Sequence, residues 1–233
     1  MSSLLRSARK ALRRLLQPGI IRLDGLLICT DPAMVSPDVR KGLFKETYEE
    51  PERILVGRFL KPDDRVLEVG GGIGLVSLTC ARICGVANVL TYEANPAMEA
   101  VIRHNFRLNR LEPNLRIKLV TKDGRAVTFF VNDNIMSSSC FDRNMGTPRT
   151  LPSDALDQVL AEWKPTALVM DVEGAEIEML TASQLPGIRK VILEIHPHIV
   201  GEEPTHAMLE HLRGVGLIER ERIQKSILLQ REG

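Results

Sequence analysis

The chain is poor in aromatic residues, with one Trp, two Tyr and six Phe among 233 residues. That leaves too few rings to build an extended platform for stacking nucleic-acid bases. Charge of one sign is also missing: 31 basic residues stand against 30 acidic ones, a formal net charge of +1, so no global field draws in a polyanion. No apolar run approaches the roughly 20 residues of a membrane span, since the stretch from Ile20 to Cys29 is cut by Arg22 and Asp24. Cys29, Cys80, Cys84 and Cys140 form no CxxC pair, which reads as buried thiols in a reducing compartment and sets the expectation of a cytoplasmic protein. What remains is an ordinary globular composition, 44% hydrophobic and 26% charged, long enough for one α/β domain with a short extension.

The organising stretch is Val66 to Leu78, VLEVGGGIGLVSL. An apolar run meets a cluster of glycines and then a helical apolar pattern, which reads as strand, tight turn, helix. Glycine lets backbone bend sharply and lets a ligand come close, while the free N–H groups of the new helix point at it. The glycines fall at 70, 72 and 74, and Leu75 stands where the dinucleotide fingerprint requires its third glycine. A pyrophosphate cradle is therefore disfavoured. Glu68-x-Gly70-x-Gly72-x-Gly74 instead resembles the first motif of class I S-adenosylmethionine (SAM) methyltransferases. Glu93, at the end of a second strand over residues 88–93, lies 23 positions beyond Gly70. An acid at that place accepts hydrogen bonds from both ribose hydroxyls of an adenosine cofactor. Glu49 in the leader and Asn95 after the strand are further cofactor-side candidates, although a solvated acidic face explains Glu49 and N-capping before Pro96 explains Asn95.

Along the rest of the chain, helices are predicted over Pro37 to Leu60, Leu75 to Cys84, Asp154 to Trp163 and residues 203–213. Strands are predicted over residues 115–120, 126–131, 167–170 and 191–195, with two more at 217–220 and 223–229. Strands alternating with helices on this schedule indicate a doubly wound α/β sheet that binds ligands at the carboxyl ends of its strands. The polar connection from Asn132 to Pro152, with its SSSC core and Met136, reads as a flap over the active site or a plain surface loop. Asp171, Glu173 and His196 fall at the carboxyl ends of the fourth and fifth strands. A neutral imidazole suits proton abstraction near pH 7, so His196 is the expected base, with Asp171 or Glu173 orienting it or the substrate. The competing reading is that both acids cap the next helix and orient the cofactor's amino group. Glu194, His196 and His198 have ligand-like alternation, but Pro197 ends the strand, so no metal is expected.

Residues 1 to 17 carry five cations and no acid, with Leu5, Ala8, Leu12 and Leu15 at helical spacing. The expected organisation is a basic amphipathic helix over 1–19 followed by a single catalytic domain over 20–233. That helix docks on the domain, contacts a membrane surface or a partner, or is a transit peptide.

Tyr48-Glu49, VLEVGGGIG, YEANP, the SSS loop, DVEGAE and LEIHP, taken in that order over roughly residues 45 to 200, resemble the FkbM family of SAM-dependent methyltransferases. The resemblance implies a mostly parallel, seven-stranded Rossmann-like sheet with the last strand antiparallel. It also implies SAM as cofactor and O-methylation of a hydroxyl on a sugar, glycan or small natural product, with no nucleic-acid partner. The abrupt Leu119 to Gly124 segment departs from the longer one usual in that family and leaves the adenine contacts unassigned. Two alternatives stay open: a SAM-fold binding or scaffold protein without turnover, and a methyltransferase acting on a protein side chain.

Overall fold

The computed structural model of the protein describes residues 3–131 and 147–232. Helix α1 (Ser3–Leu16) leads into a hairpin of β1 (Ile20–Leu23) and β2 (Leu26–Cys29), then α2 (Pro37–Lys45) and α3 (Glu50–Phe59). The alternating region follows with β3 (Val66–Val69), α4 (Leu75–Cys84), β4 (Val89–Glu93), α5 (Glu99–Leu108), β5 (Leu115–Ile117) and β6 (Leu119–Thr121). After these come β7 (Val127–Val131), β8 (Thr147–Leu151), β9 (Ser153–Ala155), α6 (Leu156–Trp163), β10 (Ala167–Met170), α7 (Glu176–Leu180) and β11 (Lys190–Glu194). The chain ends with α8 (Pro197–Val200), α9 (Glu202–Gly214), β12 (Leu217–Ile223) and β13 (Ser226–Arg231).

Seven strands form one sheet in the order β12-β13-β11-β10-β3-β4-β5. Strand β13 runs antiparallel to both its neighbours and the remaining pairs are parallel, which is the Rossmann-like methyltransferase sheet the sequence implied. Strands β3, β4 and β10 are buried at every position, as a parallel sheet covered on both faces requires. One apolar layer joins Leu43, Leu55, Leu78 and Ile102 to Val66, and the other joins Leu156, Leu180 and Met208 to Leu67. The chain works outward from β3 to β5 and then returns to β10, so strand order reverses between β3 and β10, and that switch point is where such sheets open a crevice.

Two expectations are corrected, and a third falls largely outside the described residues. The helix predicted over Pro37 to Leu60 is two helices. Thr47 N–H takes the Gly42 carbonyl at 2.9 Å, Glu46 and Glu49 turn left-handed at φ 65° and 47°, and α3 starts afresh with Pro51 in its first turn. The strand predicted over 115–120 breaks at Lys118, whose N–H is held by the Glu93 carbonyl at 2.9 Å, and β6 leaves the main sheet to pair with β9. Of the proposed flap, residues 132–146, with Met136 and the SSSC core, lie outside the described residues, while β8 pairs with β7.

Helix α1 docks by its cationic face: Arg9 and Arg13 both donate to Glu46, the latter at 2.8 Å. Its apolar face points outward. Leu12, Leu15, Leu16 and neighbouring Ile20 are the large apolar side chains left exposed among the described residues.

The amino-terminal edge of the sheet is pinned by Asp64, which is fully buried. It accepts from Lys61 N–H at 2.8 Å, Thr166 Oγ1 at 3.0 Å, Arg189 Nη2 at 3.1 Å and Lys190 Nζ, tying the entrances of β3, β10 and β11 together. Burial alone would raise its carboxyl pKa, but the Lys190 bond and the other donors hold it below the ordinary value. Asp64→Ala leaves the Lys190 ammonium buried and unpaired and is expected to cost about 3–5 kcal/mol in urea unfolding. Because the folded pKa is the lower one, this stabilisation is present above about pH 4 and fades as pH falls through the depressed value. A variant as stable as wild type at pH 7 would refute it.

Candidate active site

At the end of β3 the backbone turns over Gly70 to Gly74, and the N–H groups of Gly70 and Gly71 both reach the Tyr92 carbonyl, at 3.0 and 3.1 Å. Two of the three predicted glycines answer to different demands. Gly70 has φ 94°, and a Cβ there would sit 1.8 Å from the Asp171 carbonyl oxygen, so adjacency of β3 and β10 requires it. At Gly72, φ 53°, a Cβ would meet Glu49 Oε1 and the Tyr48 hydroxyl at 2.9 Å, on the cavity wall. Gly74 is also left-handed and caps α4, packed on Ile102 and away from the cavity.

Glu93 closes the turn from the neighbouring strand. Its two oxygens accept from Gly72 N–H at 2.8 Å and Asn95 N–H at 2.7 Å. Burial pushes its carboxyl up to about 7, against the pull of these backbone donors. Each oxygen keeps a lone pair for a hydroxyl donor. The Asn95 side chain caps the turn at Ala97 N–H, 3.1 Å, so Asn95 lines the cavity while its backbone holds Glu93. Glu68 does not reach the cavity. It is 1% exposed and takes hydrogen bonds from the hydroxyls of Ser77 and Thr91, bracing β3 against α4 and β4.

The cavity, about 480 Å³, runs along the carboxyl ends of β4, β3, β10 and β11. Among the described residues seven acids line it against two lysines, Lys118 and Lys225. Such a wall suits a cationic sulfonium cofactor and repels a pyrophosphate. Glu49 adds a buried Oε2 without a hydrogen-bond partner; burial first, then the charges of Glu52 and Glu68, hold its pKa well above the ordinary value. Ala94, Met98 and Leu119 give an apolar stretch beside Glu93. These features fit SAM: Gly72 carries no side chain on the cavity wall, Glu93 would accept the ribose hydroxyls, and Glu49 would offer a carboxyl oxygen to the cationic end.

Asp171, Glu173 and His196 are brought together as expected, but His196 stands behind the acids rather than on the cavity wall, 3% exposed. Its Nε2 lies 3.6 Å from Asp171 Oδ1, 3.8 Å from Glu194 Oε1 and 3.9 Å from Glu173 Oε2. Its Nδ1 lies 3.2 Å from Glu176 Oε1, which also accepts the His196 backbone N–H at 3.1 Å. Burial alone would lower the imidazole pKa, and the bond and charge of Glu176, then Glu194 and Glu173, turn the shift upward. Asp171 is raised well above its ordinary value, by burial first and then by Glu194, Glu52, Glu173 and Glu49. Glu173 is left-handed, φ 53°. Glu52, which accepts from the Ser226 hydroxyl, and Lys225 also line the cavity and were missed. The spacing Glu49-x-x-Glu52 on one helix start was the available signal for the first; nothing local marks the second.

The sequence model of the TRM5/TYW2 methyltransferase domain matches residues 34–143, just under half of the chain and including the glycine turn. No curated protein matches. Among solved structures, the FkbM methyltransferase from Methylobacillus flagellatus KT is 14% identical with a TM-score of 0.51, over 82% of this chain and 52% of that one. This chain thus spans about half the length of that enzyme, and at this identity the likeness is one of fold. TYW2 from P. horikoshii in complex with MeSAdo is 16% identical, TM-score 0.48, over 96% of this chain and 80% of that one. TYW2 from M. jannaschii in complex with AdoMet is 14% identical, TM-score 0.46, over 91% and 86%.

Gly72→Ala is expected to weaken SAM binding more than about tenfold in calorimetry while costing about 1–2 kcal/mol of stability for its left-handed backbone. Gly70→Ala is expected to lower stability further, since the clash is with backbone. Wild-type SAM affinity in Gly72→Ala would contradict the placement. The fold is the Rossmann-like methyltransferase fold, and the glycine turn at its switch point lies within the residues that the TRM5/TYW2 methyltransferase-domain model matches.

Proposed function

We propose that the chain transfers the methyl group of SAM to a hydroxyl of a sugar, glycan or small natural product. The observation that carries this reading is that one cavity holds both the Glu93 clamp at β4 and the acids Asp171, Glu173 and Glu194 at β10 and β11. Three strand spacings, about 14 Å, separate β4 from β11, enough for a nucleoside with its aminoacyl arm to lie beside an acceptor. When bound, SAM supplies an electrophilic methyl carbon, whose bond to sulfur breaks with the electron pair returning to sulfur as the bond to the acceptor oxygen forms. The chain's own residues align that oxygen, exclude water and receive the hydroxyl proton. Asp171 and Glu173, on the wall, are the groups that touch the acceptor, and His196 acts through them as a positioning residue. The acids repel phosphate, which favours a small hydroxyl acceptor over a nucleic acid. The FkbM-like motifs DVEGAE and LEIHP, which supply these acids, support the O-methyl assignment.

Methyl-labelled SAM offered with a panel of sugars and hydroxylated small molecules, a peptide mixture and RNA is expected to pass its label to a hydroxyl. Label on RNA or on a protein side chain, or SAM binding with no transfer, would contradict the proposal, the last favouring a binding or scaffold protein.

We also propose that residues 1–17 contact a peripheral membrane or a partner in the cytoplasm, because the exposed Leu12, Leu15 and Leu16 share the helix with Arg14. No helix among the described residues is long and apolar enough to cross a membrane. Deleting residues 1–17 is expected to leave SAM affinity unchanged and to alter anionic-vesicle binding or oligomeric state. No change in either would refute the contact.

A further inference from the structure

We propose that Asp171, Glu194 and His196 bind one divalent cation at the acceptor end of the cavity. Their donor atoms lie within 4.8 Å of one another. The separations from His196 Nε2, 3.6 Å to Asp171 Oδ1 and 3.8 Å to Glu194 Oε1, are too long for hydrogen bonds. They are within a few tenths of an ångström of the spacing, roughly 3 to 3.5 Å, of two donors that each stand ~2.1 Å from a shared ion.

The surroundings prepare the imidazole for that role. Glu176 is fully buried and fully occupied: Oε2 accepts Gly174 N–H at 2.7 Å, and Oε1 accepts His196 N–H and faces Nδ1. Glu176 thereby favours a proton on Nδ1, and a cation between Asp171 and Glu194 would take the place of a proton on Nε2. A carboxylate holding the far nitrogen of a ligating histidine is the usual outer support of a metal site. An independent sign comes from Asp171 Oδ1, which is buried and has no hydrogen-bond partner among the described residues, although buried carboxylate oxygens are almost always paired. A cation at this point would be its partner. It would also offset the repulsion among Asp171, Glu173, Glu194, Glu49 and Glu52, beside which Lys225 lines the cavity from the β12–β13 turn.

One imidazole and two carboxylates suit Mn²⁺ or Zn²⁺ better than Mg²⁺. Both carboxylates line the cavity and His196 does not, so the open coordination positions face the acceptor. Resting on the proposed function, the cation would bind the acceptor oxygen and lower its pKa as a Lewis acid, easing loss of the proton to a neighbouring carboxylate.

The test is titration of the full chain, freed of metal by chelator and dialysis, with MnCl₂ followed by electron paramagnetic resonance and with ZnCl₂ by calorimetry. SAM binding is measured in parallel. One site per chain is expected. Asp171→Asn and Glu194→Gln are expected to weaken it by more than about 100-fold, and Glu176→Gln by about 10 to 100-fold through the loosened imidazole, each with a circular-dichroism melt near wild type. If His196→Gln does not fold, the two carboxylate variants still decide the matter. Absence of a stoichiometric site for either metal, or variants that bind as wild type does, would overturn the cation site. SAM binding without metal binding would remove the cation site alone, whereas metal binding without SAM binding would remove the cofactor reading alone.

Discussion

The carboxylate of Glu93, held between two backbone N–H groups, is the interaction on which the site depends. Gly72 on one side belongs to the turn after β3, and Asn95 on the other begins the approach to α5. The same group therefore fixes the turn, sets its distance from β4 and leaves its remaining lone pairs at the cavity. Burying a carboxylate without a cationic partner is costly, and here two charge-assisted backbone bonds offset it only in part, since the pKa stays near 7. A perturbed acid with no structural ion pair, at the end of a strand beside a switch point, marks a ligand site.

The second constraint is conformational. Glu49 and Glu173 both hold left-handed backbone without being glycine, and both present carboxyls to the cavity. Such positions cost of order 1 kcal/mol or more and persist where surrounding structure over-determines them. For Glu49 the frame is the broken helix, with Arg53 donating to the Tyr48 carbonyl at 3.0 Å and the Glu46 carbonyl at 2.9 Å. For Glu173 it is the Gly174 to Glu176 hydrogen bond that starts α7. The acidic end is thus assembled from three chain segments, each fixed by its own backbone bonds.

Much of this was legible in the sequence because it rests on local chemistry. The change of period at Val66 to Leu78 marks strand, turn and helix, and the distance from Gly70 to Glu93 marks the acid that meets the glycine turn before any pairing of β3 with β4 is known. Features that depend on contacts between distant segments were not legible. Gly70 is glycine because of the Asp171 carbonyl 101 residues away, Glu68 turns inward to Ser77 and Thr91, and His196 is buried behind the acids that were expected to orient it. The split of Pro37 to Leu60 escaped periodicity because both halves keep an apolar face, with Val39 and Leu43 in one and Leu55 and Val56 in the other. Only Pro51 and a capping contact mark the break.

Whether the Glu93-clamped cleft holds SAM is decided by native mass spectrometry of the gently purified chain. The expected result is a stoichiometric adduct with the mass of SAM or its demethylated product, exchangeable with added SAM and absent from Glu93→Ala. An adduct with the mass of a nicotinamide dinucleotide, or a wild-type chain that takes up no added SAM, would contradict it.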